Sequence, residues 1–180
     1  MQLTNSFLSL SDHRRGQGLR VTQSQVLTMV IVAYVCGHFS YRKIETFAKA
    51  HSVLFKEALG LKHPVPSFMT FRDIIVHTNQ EELIEVFNAW AKDFVCIEPN
   101  DWISGDGKSL CSTVSNAHTE SQDFQSVVSF FVQKTGMVTL LETYKNKKKS
   151  EIDIVNGLLN SLKDKNLHFI LDALHIQKKR

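Results

Sequence analysis

The chain is poor in what stapled or exported proteins need. Its 180 residues include only 3 cysteines, 3 prolines and 8 glycines. Cys36, Cys96 and Cys111 are far apart and form no Cys-x-x-Cys pair. That odd, scattered set argues against a disulfide framework and a zinc ribbon, and points to a reducing cytoplasm. No apolar run reaches the ~20 residues that cross a bilayer. The longest, residues 26–36, is broken only by Thr28 and reads as a buried helix. Arg14, Arg15 and Arg20 precede it, but no small-residue cleavage site follows, so neither export nor a membrane partner is expected. Charge of one sign is also scarce. Lys and Arg total 21 against 18 Asp and Glu, a net charge of +3. The first 99 residues carry 10 basic and 9 acidic groups and the remainder 11 and 9, so global charge decides nothing about nucleic acid. The eight histidines show no His-Glu-x-x-His and no spacing suited to zinc.

A chain of this length forms one domain or two small ones and can bury roughly two thirds of its unfolded surface without a metal or disulfide staple. Between residues 22 and 90 apolar residues recur at three and four, the helical period. The first helix, residues 23–36, should stop at Gly37. Ser40 caps a second, with Ile44, Phe47 and Ala48 on one face, which continues or restarts at Ser52 and ends at Gly60. Pro64-Val65-Pro66 is extended by necessity. Ser67 caps the next helix, which turns Phe71, Ile74 and Ile75 inward and exposes Thr70 and Arg72. Residues 80–94 form a last amphipathic helix. Helix, helix, proline turn, helix fits a helix-turn-helix variant with its final member in the DNA major groove, and equally an ordinary bundle.

The period changes near Pro99-Asn100, which sets the domain boundary. Residues 102–106 read as a short strand ending at Gly105-Asp106-Gly107. Residues 126–133 and 137–144, rich in Val, Phe and Thr and separated by Lys134-Thr135-Gly136, form a hairpin. Ser150 caps a helix carrying Ile152, Ile154, Val155, Leu158, Leu159 and Leu162. A final strand, residues 167–171, ends at Asp172. The fold class is therefore α+β, an all-α segment followed by strand, strand, strand, helix, strand.

Asp106 and Asp172 each follow an apolar strand. If the first and last strands are neighbours, the 66 residues between them return Asp172 close to Asp106. Two hard oxygen donors so placed suit magnesium, which takes one or two protein carboxylates and completes its shell with water and phosphate oxygens. Glycines beside Asp106 would admit a phosphate backbone. Each aspartate also fits the plainer role of a turn residue beside glycine. Gly107-Lys108-Ser109 imitates the end of a phosphate-binding loop, but Trp102 stands where its first glycine belongs, and residues 111–114 make a poor helix start. Lys145, Lys147, Lys148 and Lys149, and Lys178, Lys179 and Arg180, form basic clusters of the kind that are usually solvated faces.

Several motifs, in order and correctly spaced, resemble bacterial insertion-sequence transposases of the H-repeat-associated type. They are Asp12-His13-Arg14-Arg15, the apolar helix ending Cys36-Gly37, Ser40-Tyr41-x-x-Ile44-x-x-Phe47-Ala48 and Val65-Pro66-Ser67-x-x-Thr70-Phe71-Arg72. Further on come Gly105-Asp106-Gly107-Lys108-Ser109-Leu110, Lys149-Ser150-Glu151-Ile152 and Leu171-Asp172-Ala173-Leu174-x-x-Gln177-Lys178. The resemblance implies an N-terminal arm (residues 1–20), a helical DNA-binding domain (21–98) and the first half of an RNase H-like DDE domain (99–180). It implies Asp106 and Asp172 as catalytic, metal-holding acids for Mg2+ or Mn2+, with Glu151 and Lys108 in support. Arg14, Arg15, Ser67, Thr70 and Arg72 become candidates for contact with insertion-sequence DNA. The family's third acid, a glutamate, lies beyond Arg180, so the chain is expected to be truncated, inactive alone, and prone to self-association through apolar surface left open at residues 167–171. Two further readings are a non-catalytic DNA-binding remnant and a helical protein-interaction module.

Overall fold

The computed structural model describes residues 2–16, 19–116, 122–147 and 150–172. The basic residues Lys148, Lys149, Lys178, Lys179 and Arg180, and the motif residues Ala173, Leu174, Gln177 and Lys178, lie outside these described residues. The chain divides into two compact units between Val86 and Phe87. Among the described residues no helix is long and apolar enough to cross a membrane.

The first unit holds helices α1 (Gln2–Ser6), α2 (Gln23–Val35), α3 (Tyr41–Ala50), α4 (Ser52–Leu59) and α5 (Phe68–His77) and the start of α6 (Gln80–Phe94). Local chemistry sets most of the ends. Thr22 and Gln25 form a reciprocal capping box on α2, in which each side chain receives the other's backbone N–H at 3.2 and 2.9 Å. The Ser40 hydroxyl accepts from Lys43 N at the start of α3, and Gly60 closes α4 in the left-handed conformation, φ 64°. Ile44, Phe71 and Ile74 are fully buried with Val26, Met29 and Ala33, and each large apolar side chain so placed contributes about 1.5–3 kcal/mol. The expectation that residues 26–36 form a buried helix holds for one side only, with Val26, Leu27, Met29, Val30 and Ala33 buried. Val32, Tyr34 and Val35 of α2 are exposed, because only one stripe of that helix faces α3 and α5. The arm was not expected to be helical, yet α1 and a 3-10 turn, Phe7–Ser9, pack on α2 and bury Phe7.

The second unit contains β1 (Trp102–Ser115), β2 (Asp123–Val132), β3 (Met137–Lys145), α7 (Glu151–Leu162) and β4 (His168–Ile170). The sheet order is β3-β2-β1-β4, with β1–β2 and β2–β3 antiparallel and β1–β4 parallel. Ser150 caps α7 by accepting from Asp153 N. One sheet face carries Ile103, Val128, Phe130, Val132 and Leu140, which pack with Ile154, Val155, Leu158 and Leu162 of α7 and with Ala91 and Val95. Asn88 of α6 lies at the free side of β3, where its carboxamide donates to the Leu141 carbonyl and accepts from the Leu141 N–H, both at 2.9 Å. In the segment expected to expose apolar surface, Leu167 and Phe169 are packed against the core while Ile170 is 41% exposed.

One expectation about the strands is overturned. β1 does not end at Asp106 but continues to Ser115, with Asp106 paired to Ser129 and Lys108 to Val127. Gly-Asp-Gly reads as a turn when only its neighbours are considered, whereas here the two glycines are mid-strand, with ordinary negative φ, for want of space. A Cβ on Gly105 would lie 2.6 Å from Phe130 Cε1 and 2.7 Å from Leu171 Cδ2, and one on Gly107 would lie 2.3 Å from Glu151 Oε1. Protein atoms therefore fill the room that the sequence suggested for a phosphate backbone.

Candidate functional site

Two sites emerge, one in each unit. In the sheet unit, the β1–β4 register runs Trp102↔His168, Ile103↔Phe169, Ser104↔Ile170. Continued beyond Ile170, that register would set Leu171 beside Gly105, where a Cβ would lie 2.7 Å from Leu171 Cδ2, and Asp172 beside Asp106. Neighbouring strands lie about 4.8 Å apart and side chains alternate between faces. Gly105 and Gly107 face α7, so Asp106 and Lys108 take the opposite face of β1; both are exposed, as is Asp172. Glu151 belongs to the helix side. Its carboxylate lies under Gly107 and accepts from the Tyr144 hydroxyl at 3.2 Å, and burial together with that carboxylate pushes the Tyr144 pKa up. Glu151 thus lies on the other side of β1 from Asp106.

In the helical unit, a groove of about 700 Å³ lies between the arm and the start of α5, lined by Arg14, Arg20, His63, Ser67, Thr70 and Asp73 among others. Of the five residues expected at DNA, the groove gathers Arg14, Ser67 and Thr70 and adds Arg20 and His63. Arg15 and Arg72 are exposed but do not line it.

Arg14 is not a free cation. Its guanidinium holds Asp12 in a two-pronged pair at 2.6 and 2.9 Å and donates to the Val21 carbonyl at 3.2 Å, and its side chain is 14% exposed. Such a fork gives geometric definition as well as charge, so Arg14 folds the arm. The same hydrogen bond draws the Asp12 carboxyl below its usual pKa range.

The expectation that Ser67 caps α5 is corrected. Ser67 occupies the N-cap position of α5 but makes no side-chain cap; Glu45 of α3 accepts from Phe68 N at 3.1 Å instead. Arg42 lies over the Phe68 ring at 5.2 Å. The positive end of α5 is thereby answered within the unit by a carboxylate, a partnership 23 residues apart that no local motif announces. The arm is anchored in the same manner: Glu82 accepts from the Ser11 N–H and hydroxyl at 2.7 and 2.8 Å.

These carboxylates carry a pH dependence. Glu45 is lowered chiefly by its hydrogen bond from Lys49 and also by that from Phe68 N. Glu82 is lowered by the Ser11 backbone and then by its side chain. A lowered folded pKa contributes stability that is present above the ordinary value of 4.5 and is lost as the pH falls through the folded value. Urea midpoints of the helical transition should therefore be level from pH 7 to about 5 and fall below that. Glu45→Gln and Glu82→Gln should flatten the fall; an unchanged acid limb in both variants would refute the assignment.

The family model described as DDE_Tnp_1-associated matches residues 4–91. Three curated proteins of Escherichia coli (strain K12) match 169 residues, 94% of this chain. "Putative protein YbfL" is 24% identical. "H repeat-associated putative transposase YhhI" and "H repeat-associated putative transposase YbfD" are each 22% identical. The chain spans 44% of the length of YbfL and of YhhI, and 66% of that of YbfD. Residues 4–91 thus match the DDE_Tnp_1-associated model, and over 94% of its length the chain is similar to H repeat-associated putative transposases at low identity.

Proposed function

We propose that this chain acts in DNA transposition, with the helical unit binding insertion-sequence DNA and the sheet unit contributing two acids of a DDE centre. What supports the reading is the exposure of Asp106 on β1 together with the parallel β1–β4 pairing, which, if continued past Ile170, would bring Asp172 alongside it. The order β3-β2-β1-β4, with its single parallel pair between β1 and β4, supports an RNase H-like architecture.

The donors fit a hard divalent cation, since they are carboxylates on an exposed face that leaves room for water and phosphate oxygens. Asp106 and Asp172 would hold Mg2+ or Mn2+, which supplies Lewis-acid activation of the attacking oxygen and stabilisation of the leaving oxygen in displacement at phosphorus. Lys108, two residues along on the same face, places a positive charge where a phosphate would approach. Glu151 keeps β1 in register from the other side. Two carboxylates alone hold such an ion weakly, so metal affinity at this pair is expected to be low.

In the helical unit the exposed cations Arg15, Arg20 and Arg72 are the phosphate partners, while Ser67 and Thr70 offer hydroxyls in the groove. Purified chain titrated onto element-end duplex at several salt concentrations should show a steep salt dependence, because each phosphate contact releases condensed counterions. Arg72→Ala should weaken binding to all sequences alike and reduce the salt slope by about one unit. Binding that ignores salt would favour a helical protein-interaction module instead.

A further inference from the structure

At the edge of the groove, which Asp73 also lines, His13, Asp73 and His77 converge on one point of the helical unit. His13 Nε2 lies 3.1 Å from Asp73 Oδ2 and His77 Nδ1 lies 3.2 Å from Asp73 Oδ1. The two imidazoles stack with centroids 4.4 Å apart. One donor atom from each residue falls within 4.8 Å of the others. We infer that these three side chains form a binding site for a zinc-like divalent transition cation, clamping the N-terminal arm to α5.

The framework is already in place. Asp73 and His77 are four apart on α5, so both lie on one helix face. His13 comes from the arm, and the residues on either side of it are fixed. Ser11 is held by Glu82, and Asp12 by Arg14, which itself reaches the Val21 carbonyl. Because Arg14 is engaged by Asp12, it does not compete for Asp73. An ion bound at roughly 2.0–2.2 Å from each donor requires the three to draw together, around a His77 ring whose Nδ1 also lies 2.8 Å from the Asp73 carbonyl oxygen. Exposures of 29%, 48% and 52% for the His13, Asp73 and His77 side chains leave an entry path.

The donor chemistry selects the ion. Imidazole suits zinc, copper, iron and nickel, whereas magnesium and calcium prefer oxygen throughout. Two neutral histidines and one carboxylate leave a coordination position open to water or an outside ligand. The sequence hides this set because His13 is 60 residues from Asp73, so no short spacing motif exists. The inference does not depend on the DNA reading, since it concerns only what these residues bind.

Zinc binding to the purified chain would be measured by calorimetry, with the exposed Cys36, Cys96 and Cys111 changed to serine so that thiolates do not compete. One ion per chain should bind saturably at micromolar concentrations. His13→Gln and His77→Gln should each weaken binding more than about tenfold, the least that even an outer-sphere partner costs, and magnesium should not substitute. As a readout independent of those variants, zinc should shift the imidazole NMR signals of two histidines in protein that retains all eight. Absence of saturable binding, binding retained in the His13→Gln/His77→Gln double variant, or zinc shifts confined to other histidines would each overturn the site.

Discussion

Gly105→Ala should destabilise the sheet unit by about 1–3 kcal/mol, the usual cost of forcing a methyl into a packed core. The added Cβ would meet Phe130 Cε1 at 2.6 Å and Leu171 Cδ2 at 2.7 Å, and Phe130 is completely buried and cannot retreat to solvent. Relief has to come from Leu171, and that displaces the segment carrying Asp172. Thermal or urea unfolding monitored by the sheet's near-ultraviolet signal measures the loss. Leu171→Ala in the same chain should recover part of it, giving a coupling energy of about 0.5–3 kcal/mol between the two sites. A neutral Gly105→Ala would mean that β1 and β4 are not in the contact described.

The second large effect concerns the aspartates. Mn2+ binding to the sheet unit, followed by paramagnetic broadening, should centre on Asp106 and Asp172. Asp106→Asn and Asp172→Asn should each weaken it at least about tenfold, since asparagine keeps the shape but removes the charged oxygen that a hard cation requires. Glu151→Gln should leave Mn2+ affinity nearly unchanged, because its carboxylate faces α7 under Gly107, and should instead lower stability through the lost bond to Tyr144. Equal losses in all three variants would place the ion elsewhere. The contrast separates an acid that holds the ion from one that holds the strand.

Much of the architecture could be read from the residues. Ser40, Gly60 and Ser150 announce helix ends through bonds or backbone conformations confined to a few residues, and the change from helical to strand period near Asn100 marks where the sheet begins. The pairing of the first and last strands, put as a condition when the residues alone were considered, is present as the parallel β1–β4 pair. What could not be read depends on partners distant in the chain. Gly105 and Gly107 look like a turn until Phe130, Leu171 and Glu151 are seen to occupy their missing side-chain space. Ser67 looks like a cap until Glu45 takes that role. Arg14 is the exception, since Asp12 is only two residues away; its attachment was available from local chemistry, but a paired basic motif drew attention to phosphates instead.

The carboxamide of Asn88 also bears on how copies of this chain meet in solution. A sheet whose outermost strand shows unpaired amides and carbonyls invites another strand to add to it, and repeated addition leads to fibres. By engaging both the N–H and the carbonyl of Leu141, Asn88 occupies a rung of that outer ladder and breaks its continuity midway along β3. The residue ties α6 to β3, and the rung it closes is expected to hinder strand addition there. Asn88→Ala, which exposes that rung, should increase concentration-dependent β-aggregation even where the unfolding midpoint barely moves.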